Sequence, residues 1–163
     1  MNEFYAEQLV KKKAGMKELL MKVLLVLMIL VAVFLSLTFT FGFFIALAII
    51  VAAVVLYQRL DVEYEYMYYN DEMDIDAIYH KAKRKRVFSV NVSDMEILAP
   101  IDAVELRQYQ KAKTYDYSSG TGNAKLYAMV VAKDGQKTKI VFEPKQEIVE
   151  GFFLRAPRKV IRK

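Results

Sequence analysis

Residues 23–58, VLLVLMILVAVFLSLTFTFGFFIALAIIVAAVVLYQ, hold no charged side chain in 36 positions. A single α-helix of that length would extend about 54 Å at 1.5 Å per residue. A bilayer's hydrocarbon core is about 30 Å thick, and tilt absorbs only a few ångströms of excess. Two helices of about 18 residues fit, provided the chain turns midway. Residues 36–42, SLTFTFG, supply the turn. Gly42 tolerates turn dihedrals, and Ser36, Thr38 and Thr40 can bond backbone groups freed at the bend. Spans are expected at roughly 19–37 and 42–60. A cleaved signal peptide does not fit, because its apolar region is only about 7–15 residues long.

Basic residues set the orientation. Lys11, Lys12, Lys13, Lys17 and Lys22 precede the first span, Arg59 ends the second, and the turn between them is uncharged. Positive flanks stay in the cytoplasm, so the chain is expected to be a multi-pass cell-membrane protein with both termini cytoplasmic. Lys22 can snorkel its ammonium to the interface. Small residues four apart, Ala32 with Ser36, Gly42 with Ala46, and Ala48 with Ala52, let helix backbones approach closely. They are the candidate helix-packing positions, within the hairpin or between two copies.

About 100 residues follow the hairpin, enough for one small domain. The absence of cysteine excludes disulfide and thiolate chemistry. Residues 1–60 hold nine charged side chains, six basic and three acidic, so +3 of the net +5 sits there. The basicity is therefore local, which weighs against a nucleic-acid partner.

After Asp61 the pattern alternates. VEYEYMYY (62–69) sets Val62, Tyr64, Tyr66 and Tyr68 against Glu63, Glu65 and Met67, a strand signature. YNDE reads as a turn. MDIDAIYH (73–80) and RVFSVNV (86–92) read as further strands, and MEIL (95–98) as a short one. DAVELRQYQK (102–111) reads as a short helix capped by Asp102, and residues 114–123 as a polar loop. KLYAMVVAKDGQKTKIVF reads as two strands joined at Asp134 and Gly135. QEIVEGFF (146–153) pairs Ile148 with Phe152 and Val149 with Phe153, an amphipathic closing helix.

The expected fold class is thus α+β: a transmembrane helical hairpin (17–60), then five or six antiparallel strands closed by a C-terminal helix (61–156). Residues 1–16 are read as a basic segment, either an interfacial helix or a frayed end, and 157–163 as a loose basic tail. The element order resembles bacterial pleckstrin-homology-like domains. Over the whole chain, NEFYAEQLVKKK, the apolar hairpin, DIDAI, KAKRKRVFS, SSG and KTKIVFEP resemble an uncharacterised family of small two-span proteins from Gram-positive anaerobes. That family is a domain of unknown function, so the resemblance implies the architecture and no activity.

KAKRKR packs Lys81, Lys83, Arg84, Lys85 and Arg86 into six positions. One reading is a solvated turn between strands. The sharper reading follows from strand length. The first strand climbs about 26 Å from the membrane exit and the second returns the chain by a similar distance. The cluster then lies near the bilayer, where anionic headgroups attract each Lys or Arg by about 1 kcal/mol. These five residues are the candidate lipid- or anion-binding site.

Catalytic signals are weak. His80 is the only histidine, and nothing marks a nucleophile or orienting carboxylate beside it. NDEMDIDAI lacks the glycine and closing glutamate of an EF-hand loop, and SSGTGNAK lacks Walker A spacing. No catalytic, cofactor or metal residue is assigned, and no enzyme is expected. The functional expectation is a non-enzymatic interaction module, anchored in the bilayer and contacting anionic headgroups. The alternative is an accessory subunit that binds a larger membrane complex through its hairpin. Its partner would be another membrane protein or a further copy of the chain.

Overall fold

The computed structural model describes residues 4–39, 41–133 and 135–162. Thr40 and Asp134, both assigned to turns above, lie outside these residues. The apolar stretch forms two antiparallel-connected helices, α1 (Met16–Thr38) and α2 (Gly42–Arg59). Both are long and apolar enough to span a membrane. Their contact buries Leu25 and Ala32 of α1 against Gly42, Ala46 and Ala53 of α2. A Cβ on Gly42 would overlap the Leu35 carbonyl, so the helices close up where glycine stands.

Ser36 sits at this close approach, its backbone beside Gly42. Its hydroxyl turns back to the Val33 carbonyl at 2.7 Å. Ala48 and Ala52, expected at the contact, are instead exposed on the outward surface. The reason is angular: at 100° per residue Ala48 stands about 200° from Ala46. Ala53 continues the buried row in their place.

The remainder is a sandwich of two four-stranded sheets. The first contains β1 (Tyr5–Lys11), β2 (Val62–Tyr69), β3 (Glu72–Tyr79) and β4 (Lys83–Asn91), all antiparallel and in that order. The second orders β5 (Met95–Pro100), β7 (Tyr127–Lys133), β8 (Gln136–Phe142) and β6 (Lys113–Asp116), with β6 parallel to β8. Helix α3 (Gln146–Arg155) buries Ile148, Val149 and Phe152 against one end of the core. Tyr66 is fully buried there, edge-on to Phe142, and Tyr68 packs on Phe152.

Four local expectations are corrected. The N-terminal segment is neither an interfacial helix nor frayed. It is strand β1, paired from Tyr5 opposite Tyr69 to Lys11 opposite Glu63, with Ala6 and Val10 in the core. Residues 114–116 of the expected loop belong to β6, and Ser118 and Ser119 beyond them are buried, Ser119 donating to Glu143 at 2.8 Å. The helix expected from Asp102 is a 3-10 turn, Val104–Tyr109, after Ala103. The chain leaves β5 in a turn closed by Ala103 N–H to Pro100 at 2.9 Å, and Asp102 is spent inside it. The tail is not loose: Leu98 N–H donates to the Lys159 carbonyl and Ile161 N–H to that of Leu98, both at 2.8 Å, with Val160 buried between them.

Candidate membrane interface

Strand β1 leads into α1 and α2 leads into β2, so the helical hairpin is inserted between two neighbouring antiparallel strands. Both connections are short and bonded. Lys12 N–H donates to the Val62 carbonyl at 3.1 Å and Lys13 N–H to that of Ser119 at 2.7 Å. Lys12 also pairs with Glu18 of the first turn of α1 at 3.2 Å. Higher in the hairpin, the Lys22 ammonium stands 5.3 Å over the Tyr57 ring.

Strand β3 returns to this same end. Tyr79 pairs with Val62, and His80 N–H donates to the Asp61 carbonyl at 2.9 Å. His80 and Lys81 then turn the chain into β4, both at positive φ, 49° and 57°. Ala82 N–H closes the turn on Tyr79 at 3.0 Å. His80 is exposed. One end of the first sheet therefore gathers Lys11, Lys12, Lys13, Lys81 and Lys83 around the two points where the helices leave.

The basic hexad is divided rather than uniform. Only Lys81 lies in the turn, while Lys83, Arg84, Lys85 and Arg86 are strand residues, whose side chains alternate between faces. Arg84 and Arg86 share the outer face with the carboxylates of β2 and β3. Arg84 reaches across β3 to Glu65 and stands 3.7 Å from Asp76. Arg86 meets Asp74 at 2.8 Å and Asp76 at 3.5 Å. Burial pushes the Glu65 carboxyl up, and Arg84 opposes that rise. The two arginines thus roof an acidic face instead of facing outward as free cations. Lys81, Lys83 and Lys85 are exposed, and no ion pair among the described residues engages them.

Sequence reasoning placed the cluster near the hairpin but did not divide it. The signal was available: acidic residues at 63, 65, 74 and 76 recur at the period that puts them on one face. Tyr64, Tyr66 and Tyr68, which could have stacked nucleobases, all point into the core.

Residues 2–162 match the family described as Bacterial PH-like domain (DUF6106). The chain belongs to this family. Its PH-like sandwich with a C-terminal helix accounts for the domain resemblance, and the two apolar helices accompany it at the N-terminus. No curated protein and no solved structure matches. The PH-like assignment carries a fold and no activity, so the function of this PH-like chain is argued from its own geometry.

Proposed function

We propose that the chain is a membrane-anchored, non-enzymatic interaction module. Its hairpin crosses the bilayer twice, its PH-like domain sits on the cytoplasmic face, and its lysine rim meets anionic headgroups. The observation that carries this reading is the pairing of β1 with β2 around the hairpin. Strands in one sheet share a compartment, and a chain that leaves and re-enters that compartment crosses an even number of times. The lysines beside both helix exits favour the cytoplasm.

The rim is the second support. Among the described residues Lys81, Lys83 and Lys85 have no ion-pair partner, and they stand toward the end of the sheet nearest the helices, with Lys11 and Lys13 beside them. At about 1 kcal/mol per charge near an anionic surface, five such residues contribute on the order of 5 kcal/mol. Lys81 stands at a left-handed φ where glycine would be easier by about 1–2 kcal/mol. A strained position that keeps its charge fits a working contact. The accessory-subunit alternative has no comparable support; its binding surface would be the outward face of the hairpin, which lipid covers equally well.

Hydrogen exchange of the full chain in nanodiscs tests the reading. Amides of residues 79–86 are expected to be slower with phosphatidylglycerol present than in phosphatidylcholine alone. The difference should vanish in high salt and in the Lys81→Gln, Lys83→Gln, Lys85→Gln triple variant. Equal exchange in the two lipids would remove the headgroup contact while leaving the anchor intact.

A further inference from the structure

A recess opens where one end of the second sheet meets α3 and the C-terminal tail, and none of the rim lysines lines it. Its volume is about 420 Å³, within the range of about 300–1,000 Å³ that small-ligand sites occupy. Leu126, Pro144 and Val149 give it apolar walls. The loop SSGTGNAK supplies one side. Ser119 fastens that loop to Glu143, Gly120 and Gly122 turn it at φ 71° and 76°, and Ala124 and Lys125 then reach the recess.

Three polar side chains at the recess have no hydrogen-bond or ion-pair partner among the described residues. Tyr127 is only 8% exposed, yet nothing bonds its hydroxyl. A tyrosine so deeply placed ordinarily finds a partner for that group. Lys125 is exposed and enters no ion pair. Arg162 lays its guanidinium carbon 3.4 Å from the centre of the Phe153 ring, which holds the plane of the group and leaves its N–H donors unused. Two carboxylates share the lining. Glu150 accepts from the Gln146 amide at 3.1 Å, and Asp102 lies in the turn after β5.

Two unpaired cations and a phenolic donor beside apolar walls suit an anion that carries an apolar body. Glu150 and Asp102 limit its charge, since a second negative charge on the ligand would be repelled by them. The geometry points to a binding site for a monocarboxylate with an apolar body. Its carboxylate takes Lys125, Arg162 and the Tyr127 hydroxyl, and its body lies on Leu126, Pro144 and Val149. Two sources share this chemistry, a free short-chain acid and the C-terminal end of a polypeptide. The site does not depend on the membrane reading, because no residue of the hairpin or of the lysine rim lines it.

Hydrogen exchange of the full chain in phosphatidylcholine nanodiscs tests it with two water-soluble acids, 4-methylvalerate and N-acetyl-alanyl-leucine, and the amide of each. The acids are expected to slow exchange at residues 124–127 and 147–150 saturably, and the amides to have no effect. Tighter binding of the acetyl dipeptide assigns a polypeptide end, and tighter binding of 4-methylvalerate assigns a free acid. The dianion 3-methylbutyl phosphate should bind more than about tenfold more weakly than the better acid. Lys125→Gln combined with Arg162→Gln should weaken the acids by more than about tenfold, and Tyr127→Phe several-fold. The comparison of acids with amides uses the unaltered chain, so it stands even if a variant fails to fold. No saturable protection by either acid below about 10 mM, or equal protection by the amides, would overturn the inference. Phosphate ester binding as tight as the acids would overturn the assigned class.

Discussion

Tyr66 donates its phenolic hydrogen to the Tyr117 carbonyl at 2.6 Å, joining the two sheets across the core. Removing one partner of a buried bond costs the stranded group's desolvation, about 1–3 kcal/mol. Tyr66→Phe should therefore lower the denaturant midpoint of the detergent-solubilised chain by that free energy. An unchanged midpoint would show that the bond contributes nothing. Burial also raises the Tyr66 phenol and pushes Tyr68 up to about 12, from an ordinary value of 10.0. The folded state holds these protons more tightly than the unfolded state does. Stability from Tyr68 is thus complete below pH 10 and lost as pH rises toward 12. Thermal unfolding followed across that window should show the decline, and Tyr68→Phe should flatten it.

At the scale of elements, two turns have different demands. Gly42 stands where a Cβ would strike the Leu35 carbonyl, so Gly42→Val should force the helices apart and destabilise the hairpin by about 1–3 kcal/mol. Thermal aggregation of the detergent-solubilised variant reports the loss. The His80–Lys81 turn carries two side chains at positive φ. Replacing them by Asn-Gly should stabilise the domain by about 1–2 kcal/mol, read from the denaturant midpoint. The same change should weaken the exchange protection by anionic lipid, since it removes Lys81.

For the whole molecule, the decisive feature is a domain whose first strand lies ahead of the apolar helical hairpin. Ala6 and Val10 fill the core, Gln8 donates to the Glu143 carbonyl at 2.9 Å, and Phe4 meets the Tyr68 ring edge-on. Residues 61–163 expressed alone lack this strand, exposing the β2 edge and the core beneath it. That fragment is expected to aggregate or show no cooperative unfolding. Joining residues 4–13 to its start through a short glycine linker should restore a cooperative transition. A well-folded 61–163 fragment would show that β1 is dispensable.

The sequence by itself determined the hairpin, the β2 and β3 strands, the β7–β8 pair and the closing helix. Each is written in a local period: continuous apolarity for lipid, alternation for a half-buried strand, and i, i+4 pairs for α3. Only the tertiary structure decided that YAEQLVK is a strand, because its hydrogen-bond partners lie more than fifty residues away at Val62–Tyr69. KTYD is too short to show a period and becomes β6 only beside β8. The tail is held by its bridge to Leu98. The basic hexad stands between these cases. Its charge is plain in the sequence, yet which cations remain free depends on the register that sets Arg84 and Arg86 over Glu65, Asp74 and Asp76. Local pattern encodes what a segment buries, whereas pairing across distance decides what it buries it against.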